Sequence, residues 1–144
     1  MKPKIFVSFD YEHDKHYKFL LEAWNANKEF DLVFDDYSSE EINSNNIGRI
    51  KAALTNKIKE STHVLVISGG HTNTPHRNRS LIGHVNWINF ESYQAVSYKK
   101  RIAVIKINFL SQIPTTLVGA KYSTANSFTH QNIINAINQA PFIF

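Results

Sequence analysis

The stretch HVNWINFESYQAVSY, residues 84–98, places one carboxylate among aromatic rings. Glu91 is the only acid after Glu60, so the final 84 residues hold a single carboxylate. Trp87 and Glu91 are four residues apart, which on a helix stacks them on one face. No other residue between Arg79 and Lys99 is formally charged. An ordinary surface helix scatters Lys and Glu over its outer face. Three arrangements fit this composition. Another subunit covers the helix, or Glu91 pairs with Arg77, Arg79 or Lys99, or Glu91 faces a ligand cleft with aromatic walls. In the last case the rings would exclude water and stack on rings of the ligand.

Other groups with chemical potential are more dispersed. His71, His76 and His84 lie close in sequence, but at irregular spacing in a loop without a neighbouring acid. No metal site is therefore expected from them. Asp10, Asp35 and Asp36 fall near strand ends and superficially suit a phosphoacceptor domain. That chemistry wants an aspartate ending the third strand, and HVLVIS ends without one. The chain has no cysteine, which excludes disulfides, thiolate nucleophiles and cysteine zinc sites.

The elements that must position these groups follow from periodicity. KIFVSF (4–9) is a β-branched and aromatic run, a buried strand. Asp14 is expected to cap a helix over about 15–27 that turns Tyr17, Leu20, Leu21 and Trp24 inward. FDLVFDDY (30–37) is a second strand and SSEEINSNN (38–46) a polar loop. Residues 47–61 form an amphipathic helix with Ile47, Ile50, Leu54 and Ile58 inward. HVLVIS (63–68) is a continuous apolar run, typical of a central parallel strand. A long loop, 69–83, leads to the aromatic helix, where Val85, Ile88, Ser92, Ala95 and Val96 suit packing on a sheet. RIAVIKI (101–107) is a fourth strand, 108–123 is irregular with room for a short edge strand, and 129–139 is a last helix. Alternation of strands and helices predicts an α/β fold, a three-layer flavodoxin-like sandwich around a central parallel sheet of four to five strands. Ligands in such sheets bind beyond the carboxyl ends of the strands.

The 144 residues suit one domain spanning 1–144. No run of about 18 apolar residues exists, so no membrane span is expected. The N-terminus reaches Asp10 too soon for a signal peptide, and a cytoplasmic location is expected. The net charge of +4 is uneven: residues 1–60 carry −2 and residues 61–144 carry +6. A basic half can attract a phosphate-bearing ligand, whereas no nucleic-acid reader motif is present.

Several of these segments, in this order, resemble TIR domains. KIFVSFDYEHD is similar to their opening strand, through Phe6, Ser8, Phe9 and Asp14. VFDDYSSEEIN resembles their second strand and the following BB loop, and STHVLVIS their third strand. WINFE resembles the Trp-x-x-x-Glu pattern of enzymatic TIR domains, and KKRIAVIKIN their next turn and strand. With Ile105, Ile107 and Asn108 ending that strand, the chain looks most like TIR-like subunits of bacterial Thoeris anti-phage systems. Two features depart from the wider pattern: the basic 69–83 segment is long, and the BB loop lacks the proline of animal signalling TIRs.

The resemblance implies cleavage of the nicotinamide–ribose bond of NAD⁺, which enters as substrate, with no resident cofactor. It makes Glu91 the catalytic residue. It also implies that Phe9 and Asp10 lie beside the nicotinamide ribose. Ser38 and Ser39 would contact ribose or phosphate, Arg77 and Arg79 the diphosphate, and Trp87 the cleft wall. The resemblance further implies a cyclic or conjugated ADP-ribose product that activates a separate effector protein. Homo-oligomeric assembly and a phage-derived trigger would accompany activation.

Overall fold

A computed structural model describes residues 3–26, 33–35, 45–108 and 110–143. Among these residues five parallel strands form one sheet: β1 (Lys4–Ser8), β2 (Val33–Asp35), β3 (His63–Ser68), β4 (Arg101–Lys106) and β5 (Ser123–Ala125). Their spatial order is β2-β1-β3-β4-β5. Among the described residues, five α-helices flank the sheet: α1 (Tyr11–Asn25), α2 (Ile47–Glu60), α3 (Arg79–Ile82), α4 (Trp87–Ser97) and α5 (His130–Gln139). The expected α/β sandwich with a parallel sheet is what the chain adopts. None of the described helices is long and apolar enough to cross a membrane.

Strand alternation divides the core into two layers. Ile5, Val7, Leu65, Ile67, Ala103 and Ile105 face α1 and α5, meeting Leu21, Ile133 and Ile137. Phe6, Val64, Val66, Ile102 and Val104 face α2 and α4, meeting Leu54, Ile58, Ile88 and Ala95. All six positions of β3 are buried, as a central strand covered on both faces requires. The β1–β3 pair, in register from Ile5↔His63 to Ser8↔Val66, marks where the winding direction reverses. A crevice opens beyond the carboxyl ends of strands at such a point.

Local differences from the sequence expectations have identifiable causes. Asp10, not Asp14, caps α1, because its Oδ1 accepts from the amides of Glu12 and His13 at 3.0 and 3.3 Å. Asp14 falls one turn inside the helix and is buried. Leu20 is 43% exposed, since Leu21 occupies the inward position next to it. The long loop contains the short α3, which ends at Gly83 in the left-handed region, φ 82°.

The aromatic helix begins at Trp87, capped by Asn86 through the Asn89 amide at 2.9 Å. Six consecutive residues, Trp87 to Ser92, are buried, so its lack of charge follows from burial on nearly all sides. Part of that cover comes from the chain itself. The 3₁₀ turn Thr115–Leu117 and the 72–74 segment are tied to α4 by a hub at Asn89. Asn89 Nδ2 donates to Thr72 O, Asn73 Oδ1 and Asn86 Oδ1 at 3.0–3.2 Å. Its Oδ1 accepts from Thr115 Oγ1, Thr116 N and Thr116 Oγ1 at 3.0–3.2 Å. Removing one side chain strands several buried partners at once. Asn89→Ala is accordingly expected to cost about 2–4 kcal/mol of stability, checked by urea denaturation. A loss below about 1 kcal/mol would mean that water takes over the hub.

Candidate active site

The cleft at the switch point is built from three segments. Phe9, Asp10 and His13 come from the β1–α1 junction, Thr74, Pro75 and His76 from the loop after β3, and Asn86, Trp87 and Ile88 from the start of α4. Phe9 is 5% exposed and Trp87 9%, so each offers an edge to the cleft while packing in the core. The Trp87 ring meets Phe90 edge-on, with centroids 5.6 Å apart, and His76 at 6.5 Å. The His76 amide donates to Val85 O at 2.7 Å, and its Nδ1 accepts from the Asn78 amide at 2.9 Å. His76 is thereby fixed as a wall of the cleft.

Glu91 follows Trp87 by one helical turn and is 2% exposed. Its carboxyl does not line the cleft, so it is not the rim carboxylate that a ligand-facing Glu91 would be. Ser8, the last residue of β1 and fully buried, donates its hydroxyl to Glu91 Oε1 at 2.7 Å. Among the described residues no Lys or Arg pairs with Glu91, which sets aside pairing with Arg77, Arg79 or Lys99. Burial pushes the Glu91 carboxyl up to about 8, and the Ser8 hydrogen bond only partly offsets it. The group is therefore mostly neutral at pH 7.

Among the described residues, three buried side-chain oxygens lack a hydrogen-bond partner: Asp14 Oδ2, Ser68 Oγ and Ser92 Oγ. They sit in the first turn of α1, at the end of β3 and beside Glu91 on α4. Unpaired buried oxygens are costly and collect where a site tolerates strain. Burial first, then the Asp10 charge, raises the Asp14 carboxyl, against the lowering effect of His16, His71 and His13. Gly69 is what admits this carboxyl. A Cβ at position 69 would collide with both Asp14 carboxyl oxygens. Gly69→Ala is expected to cost about 1–3 kcal/mol through overpacking. The double variant with Asp14→Ala should recover part of that loss in a double-mutant cycle. Strict additivity would mean that the two positions do not touch.

The residues singled out from sequence divide into groups. Phe9, Asp10 and Trp87 meet on the cleft, with Glu91 buried one turn behind Trp87. Arg77 and Arg79 are exposed and do not line it; Arg79 Nη1 reaches only His76 O, at 3.4 Å. Ser38 and Ser39 lie outside the described residues, as does most of the loop they open. Sequence reasoning did not assign Ser8 to Glu91, because the partners are 83 positions apart and only the fold joins them. It also missed Asn86 and His76 as cleft walls.

Parallel strands in this order, with a buried carboxyl behind a cleft at the reversal point, define a flavodoxin-like α/β domain of the TIR type. The chain belongs to the TIR-like domain family of the Thoeris protein ThsB, whose family model matches residues 6–112. No curated protein matches the sequence. Among solved structures it is similar to a prokaryotic SEFIR domain, at 15% identity, TM-score 0.60, over 96% of this chain and 95% of that one. A conserved protein from Enterococcus faecalis V583 aligns at 11% identity, TM-score 0.58, over 96% and 99%. A 2-deoxyribosyltransferase from Bacillus psychrosaccharolyticus aligns at 10% identity, TM-score 0.56, over 87% of each chain. At these identities the likenesses establish the fold alone.

Proposed function

We propose that this chain cleaves the nicotinamide–ribose bond of NAD⁺, with Glu91 as the catalytic carboxylate. The ribosyl carbon that loses nicotinamide is then captured by a nucleophile, the substrate's own adenine or an outside group, giving a cyclic or conjugated signal to a separate effector protein in anti-phage defence. The observation that carries this reading is the Ser8–Glu91 pair, 2.7 Å long and one helical turn from the cleft-lining Trp87. Nicotinamide departs as a neutral ring from a cationic pyridinium, so no general acid is needed. What the step needs is negative charge beside an oxocarbenium-like ribosyl centre. A single ionised carboxylate in a dry site supplies it. Phe9, Asp10 and Trp87 would bind the nicotinamide riboside end. Ser38 and Ser39 would contact the ribose or phosphate, and Arg77 and Arg79 the diphosphate. A bacterial cytoplasm is the compartment in which this chemistry belongs.

In the form described here Glu91 is covered and mostly neutral, which is the wrong state for that role. Turnover therefore requires α4 and the cleft loops to rearrange so that water or ligand reaches the carboxyl. Self-assembly or a phage-derived trigger would supply the energy for this change. The dilute protein is expected to be nearly inactive. Measured by mass analysis of NAD⁺ products, activity should rise faster than linearly with protein concentration, or jump with lysate from infected cells. High, strictly linear turnover from a dilute monomer would sink the rearrangement.

The alternative reading is a non-catalytic TIR-like scaffold. It is favoured by the same burial, since a carboxyl with one hydroxyl partner and no opening to the cleft also serves as a neutral core hydrogen bond. Absence of any NAD⁺ product under every condition above would decide for it.

A further inference from the structure

Away from Glu91, the fold gathers a second set of reactive side chains at the cleft rim. Asp10 and His13 come from the start of α1, and His71 from the loop after β3. One ligand atom from each lies within 4.8 Å of the other two. The imidazoles of His13 and His71 stack with centroids 3.6 Å apart and planes 19° from parallel. Asp10 Oδ1 is committed to the α1 cap, which leaves Oδ2, now 3.2 Å from His13 Nδ1.

We propose that Asp10, His13 and His71 bind a divalent transition-metal ion of the Zn²⁺ class. The donor set is right for such an ion, since two imidazoles and one carboxylate are borderline ligands that favour zinc over magnesium or calcium. The surrounding charge is right as well. Asp14 lies in the same turn, 6% exposed, and its Oδ2 has no hydrogen-bond partner. Neither Asp10 nor Asp14 is paired with a Lys or Arg among the described residues. Two carboxyls, one of them incompletely satisfied, make this patch short of positive charge. A metal ion held by the two imidazoles and the Asp10 carboxylate would supply it.

Ligand distances of about 2.0–2.2 Å require closer convergence than the present 4.8 Å envelope. Side-chain rotation achieves it: the rings must tilt out of the stack so that both lone pairs meet one ion. His13 is exposed and has room to turn. Three protein donors leave a coordination position open. Asp10 and His13 also line the cleft, so an anionic group entering it would lie within reach of that position. The other two histidines of the loop region take no part. His76 is held by the Asn78 amide, and His84 packs against Phe90 and Tyr93. The site rests on these side chains alone and stands whether or not the chain cleaves NAD⁺.

Titration of tag-free protein with ZnCl₂ by calorimetry, and with CoCl₂ by visible absorption, tests it. One saturable site per chain is expected, with the d–d bands of low-symmetry cobalt. Affinity should fall in acid, because imidazole and carboxylate ligands must be deprotonated to bind a metal. Loss of an outer-shell partner costs metal sites roughly 10–100-fold, so His13→Ala and His71→Ala should each weaken binding by at least about tenfold. His84→Ala and His130→Ala should leave it unchanged. His13 is exposed, so its removal should leave the fold intact, as circular dichroism would check. Unchanged zinc affinity in that variant, or no saturable binding in the parent chain, overturns the site. Either result leaves a stacked ring pair, His13 on His71, with Asp10 hydrogen-bonded to His13.

Discussion

Glu91→Gln is expected to reduce NAD⁺ turnover by about 10²–10³-fold or more, the scale on which one preorganised electrostatic contact acts in a transition state. The fold should survive. Glutamine has the same shape, and its amide oxygen can accept from Ser8 Oγ as Glu91 Oε1 does. The pH dependence adds a second signature. In the folded chain the carboxyl titrates at about 8, against an ordinary value of 4.5. Between those values the unfolded chain releases a proton that the folded chain keeps. Stability from this group is thus fully present below about 4.5 and is lost as pH rises towards 8. The glutamine variant lacks that loss, so its stability relative to wild type should grow from pH 5 to pH 8.5. A gain on the order of 1–3 kcal/mol is expected from burial of this kind, read by urea denaturation at the two pH values. Wild-type turnover should move the other way, increasing as pH rises through 8, since the ionised form is the active one. Undiminished turnover in the variant would end the catalytic assignment. A flat stability difference would mean that the carboxyl is better solvated than its 2% exposure implies.

The parts of this protein most legible in sequence are those where burial repeats with a regular period. HVLVIS and RIAVIK are apolar on both faces, which only a central parallel strand requires, and they form β3 and β4. Ile50, Leu54 and Ile58 recur at helical spacing, and all three are buried in α2. Caps were less legible, because Asp10 and Asp14 are both plausible and only backbone geometry selects Asp10. The aromatic helix was less legible still, because its composition left three arrangements open. Its uncharged outer face suggested a surface awaiting a partner, yet α2, the 3₁₀ turn and the 72–74 segment already cover much of it. Asparagine and glutamine on a helix can mean exposure or a satisfied buried network, and composition does not separate the two. The Gln94–Thr55 bond and the Asn89 hub decide it here.

The candidate site divides along the same line. Trp87 and Glu91 are neighbours through helical spacing, which sequence exposes directly. Phe9 and Asp10 reach the cleft because β1 ends there, which the topology rule anticipates. Ser8 with Glu91, and His13 with His71, are separated by 83 and 58 positions, and no periodicity links them. Arg77 and Arg79 were singled out on charge alone. Their charge suits a diphosphate, but the loop turns through α3 and leaves both exposed away from the cleft.

Trp87→Ala should show the largest loss of stability, about 3–5 kcal/mol, as large aromatic truncations in a core do. Trp87 is 9% exposed and belongs to the core layer between the sheet and α2–α4. Its removal also takes away the edge-on contact with Phe90 at 5.6 Å. Such an aromatic pair adds about 0.5–1.5 kcal/mol beyond the buried area. Trp87→Phe keeps most of the volume and a ring edge for Phe90, and should cost less than about 2 kcal/mol. The pair of variants separates packing from chemistry. If Trp87 only packs, turnover per folded molecule is the same in both and equals that of wild type. If it also forms the wall against which the nicotinamide riboside binds, Trp87→Ala raises KM and lowers kcat/KM even after correction for unfolded protein. Trp87→Phe then retains most of kcat/KM, because a ring still excludes water from the neighbourhood of Glu91. Urea denaturation gives the folded fraction, and NAD⁺ kinetics under activating conditions give the rest. A Trp87→Ala protein as stable as wild type would contradict the burial of this ring and, with it, the packing that sets Glu91 behind the cleft.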